Sequence, residues 1–216
     1  MLSYEKVRLL YSSVIRNKRF QLKRIQSQES HYLDIGCGQS TASGFVNIDY
    51  GWWPNVDLCW DIRGGLPFDD GSVQGIFTEH CLEHLTLEEC RKVLREFRRI
   101  LKKGGIARIV VPDGELYANL YLDSKSGKEV HFPNADRMVE SRPGGADLKT
   151  PMFYLNDIFC NYGHKFTFDA QTLVVLLQEA GFKDMQKEGF MRGRDKKLLI
   201  DRIRRKEESL YIEAVA

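Results

Sequence analysis

At 216 residues the chain is long enough to bury a core of its own and short for more than one or two domains. Hydrophobic residues make up 43% and charged residues 29%, as is ordinary for a soluble globular protein, and a formal net charge of +2 argues neither for nor against nucleic acid. The absence of a long apolar run and of a signal-peptide core, with an odd count of cysteines (Cys37, Cys59, Cys81, Cys90, Cys160) and no CxxC pair, predicts a cytoplasmic protein without a membrane span.

Residues 3–26 read as a helical lead-in that carries Lys6, Arg8, Arg16, Lys18, Arg19, Lys23 and Arg24. This is either a basic face for an acidic partner or a solvated helix covering one sheet edge. Between His31 and Asp49 comes the most informative stretch. An apolar strand around Asp34 breaks into Gly36-Cys37-Gly38, and a second strand over 45–48 ends in Asp49. Strand, glycine turn, strand and carboxylate is how an open α/β sheet builds a nucleoside site at its carboxyl edge. The dinucleotide fingerprint is incomplete, because no third glycine follows and Asp49 arrives too early. Residues 39–44 are also too few for the usual crossover helix, whose N-terminus binds pyrophosphate. NAD and FAD are therefore disfavoured, and a nucleoside cofactor without phosphates loses less.

A third short strand is predicted over 56–61, ending in Asp61, and a fourth over 73–77 after a turn-rich approach at 66–72. Thr86 and Glu89 form a capping box for a helix that runs to about Leu101. One side of that helix is apolar; the other is basic but interleaved with Glu88, Glu89 and Glu96, which reads as a solvated face. Lys102-Lys103-Gly104-Gly105 is expected to end it, and a fifth strand follows over 106–111 until Pro112. Residues 113–165 interrupt the pattern with Gly, Pro, Asn and aromatics; placed after a strand's carboxyl end, they read as a substrate lid. The other reading of this insertion is a second small core or a contact between two copies in a homodimer. A helix capped by Asp169 is predicted over 168–181, then strands over 182–189 and 209–215, with 196–206 bridging them, helical as one option.

The words LDIGCG, FVNID, LPFDDGSVQGIFTEHCLEHL, LREFRRILKKGGIARIVVPD and HKFTFDAQTLVVLLQEAGF stand in order over most of residues 31–182. In them the chain closely resembles the class I S-adenosylmethionine-dependent methyltransferases, most of all the small methyltransferase-domain proteins of the type 11 kind. The resemblance implies one α/β domain with a three-layer Rossmann-like sheet. That sheet is mostly parallel with an antiparallel last strand, and here its first crossover is shortened. The domain would comprise a lead-in (1–30), a cofactor half (31–112), the insertion (113–165) and closing elements (166–216). The resemblance also implies S-adenosyl-L-methionine as cofactor. Asp34, Gly36, Cys37 and Gly38 of the first word would lie by its methionine part, and Asp49 would take the ribose hydroxyls. Asp61 with the Ile62 amide would read adenine, and Glu79 and His80 would face the methyl group. Tyr50, with Trp52, Trp53 and Trp60, flanks Asp49 and Asp61 and offers a wall for adenine or a sugar ring.

A hydroxyl acceptor needs a base, and histidine is suited to proton removal near neutral pH. His80 and His164 are the catalytic candidates, either of which serves equally as a structural hydrogen bonder. The expected reaction is methyl transfer to an oxygen or nitrogen of a small polar metabolite or saccharide. Nucleic acid is disfavoured as substrate, since neither an Asn-Pro-Pro-aromatic nor a Pro-Cys word is present. One alternative is a non-catalytic binding protein of the same fold. The other is a zinc hydrolase: His80-Cys81-Leu82-Glu83-His84 matches H-x-x-E-H, which on a helix sets both histidines on one face, with His131, His164 or a carboxylate as third ligand.

Overall fold

The computed structural model describes residues 3–25, 32–135 and 150–216. His31, Gln26 and residues 136–149 of the predicted insertion lie outside them. Seven strands form one sheet: β1 (Tyr32–Ile35), β2 (Val46–Asp49), β3 (Leu58–Cys59), β4 (Val73–Glu79), β5 (Leu101–Pro112), β6 (Lys183–Glu188) and β7 (Ser209–Val215), in the order β3-β2-β1-β4-β5-β7-β6. The first five pair in parallel, and β7 runs antiparallel to both β5 and β6, as expected of the last strand. The chain leaves β1 toward β2 and returns to β4 on the other side. That reversal opens a crevice at the carboxyl ends of β1 and β4.

The lead-in is broken rather than continuous. Helix α1 (Tyr4–Ile15), capped by Ser3, is followed by a 3-10 turn (Arg19–Gln21) and the single helical turn α2 (Leu22–Ile25). It covers the sheet edge at β3, where Gln21 accepts from the Cys59 amide and donates to the Cys59 carbonyl, satisfying backbone groups that an edge leaves open. Helix α3 (Leu87–Ile100) has the predicted capping box and buries Cys90, Val93, Leu94, Phe97 and Ile100 against the sheet. Its basic face is largely self-paired: Arg99 holds Glu96, Asp70 and the carbonyls of Leu66 and Phe68.

Several boundaries differ from the expectation. The predicted stop at Lys102-Lys103-Gly104-Gly105 is the start of β5, because Leu101 pairs with Val73 across a register shift that Gly104 (φ +81°) accommodates. The fourth strand reaches Glu79, two residues beyond its apolar run. Residues 196–206 contain two 3-10 turns (Lys196–Leu198 and Ile203–Arg205) and no α-helix. The described part of the insertion contains two helices: α4 (Gly114–Lys125) is capped by Asp113, and α5 (Pro151–Cys160) packs on it around Tyr117, Phe132, Tyr154, Leu155 and Ile158. The second small core is therefore present. Helix α6 (Ala170–Glu179), capped by Asp169, buries Leu173, Leu176 and Leu177 beside α3. No helix among the described residues is long and apolar enough to cross a membrane.

Candidate functional site

A cavity of about 620 Å³ opens at the crevice between β1 and β4. Its floor is the turn after β1. Gly36 (φ +78°) and Gly38 (φ +57°) both adopt the left-handed region that side chains resist. A Cβ on Gly36 would stand 2.6 Å from Cys81 Cβ, so this turn and the one after β4 are locked together; at Gly38 the same atom would meet nothing. Gly38 is thus the point where backbone faces open space, as a ligand cradle requires. Asp49 ends β2 across from it, with one carboxylate oxygen accepting from the Gly38 amide (2.9 Å) and the other from the Gly51 amide (2.8 Å). Burial raises its pKa and the two amides oppose the rise, so its carboxylate is held in place with lone pairs to spare.

Every predicted cofactor residue except Asp34 lines this cavity. Asp34 lies beneath it, fully buried, its carboxylate 3.6 Å from Arg202 and without a hydrogen bond among the described residues. Burial pushes its pKa up to about 7, against the pull of Arg202. Asp61 and Ile62 reach the rim, but Asp61 is occupied: Arg63 grips it through Nε (2.8 Å) and Nη2 (2.7 Å), which lowers its pKa. Tyr50 and Trp53 wall the adjoining side and are backed by α1, with Arg16 stacked 3.6 Å over the Tyr50 ring and Arg8 3.7 Å over Trp53. The lead-in therefore buttresses the cavity, and part of its basic face is spent on that. Trp60 also lines the cavity, whereas Trp52 packs edge-on against Tyr11 outside it.

Sequence reasoning missed Arg202. Its amide and Nη1 donate to the two oxygens of Glu79 (2.9 Å each), and its Nη2 donates to the carbonyls of Cys37 and Ser40. Positive charge thus stands over the short 39–44 link, where a longer crossover would bring a helix N-terminus. Glu79 is committed to that pairing. The signal available was the basic run Arg202-Ile203-Arg204-Arg205, but nothing local tied it to a glycine turn some 160 residues earlier.

His80 follows β4 with a positive φ (+52°), a costly conformation for a side-chain-bearing residue that swings it away from the sheet line. Its Nε2 meets Ser209 Oγ at 2.8 Å. With His84 and Arg205 it lines both the main cavity and a second one of about 260 Å³, walled by Glu83, Tyr117, Ile158 and His164. Burial holds His80 neutral, its pKa driven down to about 2, and lowers His84 and His164 as well. The H-x-x-E-H word does not form the helix that the hydrolase alternative requires. Leu82–His84 is one 3-10 turn, so His80 and His84 are not paired on a helical face. His164 joins the cluster from the far side, with its ring centroid 5.0 Å from that of His84. His131 is exposed and outside the cluster.

Residues 54–109 match the family model described as "Methyltransferase domain". Among solved structures, a SAM-dependent methyltransferase from Archaeoglobus fulgidus superimposes over 97% of this chain and 94% of its own, at TM-score 0.50 and 16% identity. A Thermotoga maritima protein described as a SAM-dependent, possible histamine N-methyltransferase aligns over 98% of this chain and 94% of its own, at TM-score 0.47 and 16% identity. The first of these likenesses shows a shared fold. No curated protein matches the chain.

Proposed function

We propose that this chain, by fold and by the match over residues 54–109 a class I S-adenosylmethionine-dependent methyltransferase, methylates an oxygen or nitrogen of a small polar metabolite or saccharide. The observation that carries the reading is the wall that the two cavities share. A space of about 620 Å³ with an amide-fixed carboxylate and a smaller one lined by imidazoles have His80, His84 and Arg205 in common. In this reading Asp49 accepts from the ribose hydroxyls, Gly38 lies against the methionine part, and Tyr50 and Trp53 flank the adenine. Ile62 contributes its amide there. Asp61 serves mainly by fixing Arg63, and Asp34 acts from below by holding Arg202. Arg202, with Arg205 nearby, offers its charge to the cofactor's carboxylate, the part otherwise met by a helix N-terminus.

S-adenosylmethionine supplies an electrophilic methyl group; the protein's work is alignment and proton control. The acceptor occupies the smaller cavity, which the insertion closes on one side through Tyr117, Ile158 and Tyr162, so the insertion acts as the substrate lid. Proton removal is assigned to the imidazole cluster, with His80 on the cofactor side and His164 on the acceptor side.

Calorimetric titration with S-adenosylhomocysteine tests this. Micromolar binding is expected, with Asp49→Ala weakening it at least ~10-fold, since hydrogen bonds to a charged group contribute about 1.5–3 kcal/mol. Transfer of labelled methyl to a panel of hydroxylated and aminated metabolites then identifies the acceptor. No binding by the intact chain would overturn the reading and leave the non-catalytic alternative.

A further inference from the structure

Glu83 is the least explained residue in the molecule. It is 1% exposed, yet neither carboxylate oxygen has a hydrogen-bond partner among the described residues. Arg205, a cation that acts on Glu83 from a distance, is turned to Glu208 at 2.8 Å. What faces the carboxylate instead is imidazole. His80 Nδ1 stands 3.5 Å from Oε1, and His164 Nε2 stands 4.0 Å from the same atom.

The hydrogen-bond pattern fixes which ring nitrogens carry hydrogens. Ser209 Oγ gives its one hydrogen to the Arg205 carbonyl (2.6 Å), so toward His80 it accepts, and His80 Nε2 is the protonated nitrogen. His80 Nδ1 therefore presents a lone pair to Glu83. His164 Nδ1 lies 2.7 Å from the Ile158 carbonyl, which only accepts, so Nδ1 carries the hydrogen and Nε2 presents a lone pair. Two lone pairs thus converge on Glu83, and no neighbouring side chain among the described residues places a donor between them. One proton would satisfy a single pair of these acceptors at a time, whereas one cation satisfies Glu83 and His164 together and leaves the His80 lone pair beside it.

The third imidazole completes a ligand set. Glu83, His84 and His164 each offer an atom within 4.8 Å of the others. His164 is tied through Nδ1 to the Ile158 carbonyl, and the Nδ1 side of His84 faces the Gly163 backbone. Imidazoles tied through one nitrogen to backbone are oriented as metal ligands are, with the other nitrogen aimed at the ion. The arrangement is also held rigidly, because the Glu83 carbonyl accepts from the amides of both Lys165 (2.7 Å) and Phe166, clamping the 164–166 segment to the turn.

We propose that Glu83, His84 and His164 form a binding site for a divalent transition-metal ion, with His80 beside it and an open coordination position toward the smaller cavity. Two imidazoles and one carboxylate suit zinc or iron(II), and three protein ligands with a vacancy is the composition of sites where a metal engages a substrate. This is not the ligand set of the hydrolase alternative, which bound the ion through both His80 and His84 with His164 as one choice of third ligand: here Glu83 takes the place of His80. The substrate class it implies is an acceptor that binds metal through oxygen or nitrogen, such as a hydroxyl beside a second donor. The ion would hold that group and ease loss of its proton, which His80 Nδ1 would take, since His164 as a ligand no longer serves as a base. That role rests on the methyl-transfer reading; the metal site does not.

The test is titration of chelator-stripped, full-length protein with cobalt(II), followed by visible d–d absorption and displacement by zinc(II), with S-adenosylhomocysteine binding measured on the same samples. A saturable band at one ion per chain is expected. His84→Ala and His164→Ala should each weaken it ~100-fold or more, while His131→Ala leaves it unchanged. Absence of a saturable band in the intact protein overturns the proposal, whatever the variants do, and means that a proton alone sits on Glu83. A band that survives both His84→Ala and His164→Ala overturns it too. Metal binding without S-adenosylhomocysteine binding would leave this site standing and sink only the methyl-transfer reading.

Discussion

Arg108 lies in the middle of β5 with its side chain wholly buried, and all of its N–H donors are matched. Nε and Nη2 fork onto Asp201 (2.8 and 2.5 Å), Nη1 reaches Glu213 (3.1 Å) and the Arg192 carbonyl (2.8 Å), and Nη2 also reaches the Gly189 carbonyl (3.0 Å). Both carboxylates have no side-chain exposure. Arg108→Met strands two buried anions. Asp201 would keep only the Met191 amide, and Glu213 the Arg194 backbone and side chain. Breaking a buried pair from one side costs about 3–5 kcal/mol. Against a total stability of about 5–15 kcal/mol, and at ~2–4 °C per kcal/mol for a chain of this size, the midpoint should fall by roughly 10 °C. Urea unfolding of Arg108→Met, Arg108→Lys and the neutralised triple variant Arg108→Met, Asp201→Asn, Glu213→Gln reads this directly. The lysine should recover part of the loss, since it restores charge without the fork, and the triple variant most of it. A loss below ~1 kcal/mol in Arg108→Met would refute the reasoning. Because Asp201 immediately precedes Arg202, the methionine variant should also weaken S-adenosylhomocysteine binding.

Asp34 gives a pH dependence of definite sign. Its folded-state pKa is raised from 3.8 to about 7, so the folded chain binds this proton more tightly than the unfolded one, and stability falls as pH rises from about 4 to about 7. The full effect is on the order of 4 kcal/mol, and Asp34→Asn should flatten that part of the profile in denaturant midpoints between pH 5 and pH 8; an unchanged slope would locate the effect elsewhere. Gly36→Ala and Gly104→Ala pose the same backbone problem, at φ +78° and +81°, but only the first meets a neighbour. Gly104→Ala should cost ~1–2 kcal/mol and Gly36→Ala clearly more, with loss of cofactor binding; equal losses in thermal melts would dismiss the Cys81 contact. Arg202→Ala leaves Glu79 and Asp34 buried together without their cation, so both stability and S-adenosylhomocysteine affinity should drop. Addition of Glu79→Gln should then restore stability more than affinity, as a double-mutant cycle would reveal.

Short-range grammar was legible in the sequence and long-range charge was not. The capping box of α3, the Asp169 cap, the glycine turn and the acid ending β2 are written in adjacent residues, and each forms as read. The helix ends at Ile100, within one residue of the reading; what the cations and glycines at 102–105 hid is that β5 already begins at Leu101, where it pairs with Val73. Asp34 reads as a site acid from its place in LDIGCG, yet a strand residue points to one face or the other, and here the pleat turns it below the cavity floor. Arg108, the one charge in a near-continuous apolar run over 106–111, and Arg202, in a segment with no periodicity, find partners separated by 93 and 123 residues. Histidines 80, 84 and 164 were each visible; their convergence on Glu83 depends on the backbone clamp between the 3-10 turn and residues 165–166.

The place of β7 in the sheet order has a consequence for synthesis. Strand β5 carries Ile109-Val110-Val111 and has a single neighbour, β4, until β7 arrives roughly a hundred residues later, which at ribosomal speeds is about 5–20 s. Through that interval a long apolar edge, with the charge of Arg108 in its midst, is open to pairing with another nascent chain. Strand β6 emerges before its only neighbour as well, but its sequence KDMQKE is charged enough to wait in water. The hazard therefore belongs to β5. Yield in a cell should depend on what shields that edge while translation finishes, more than on the stability of the completed fold.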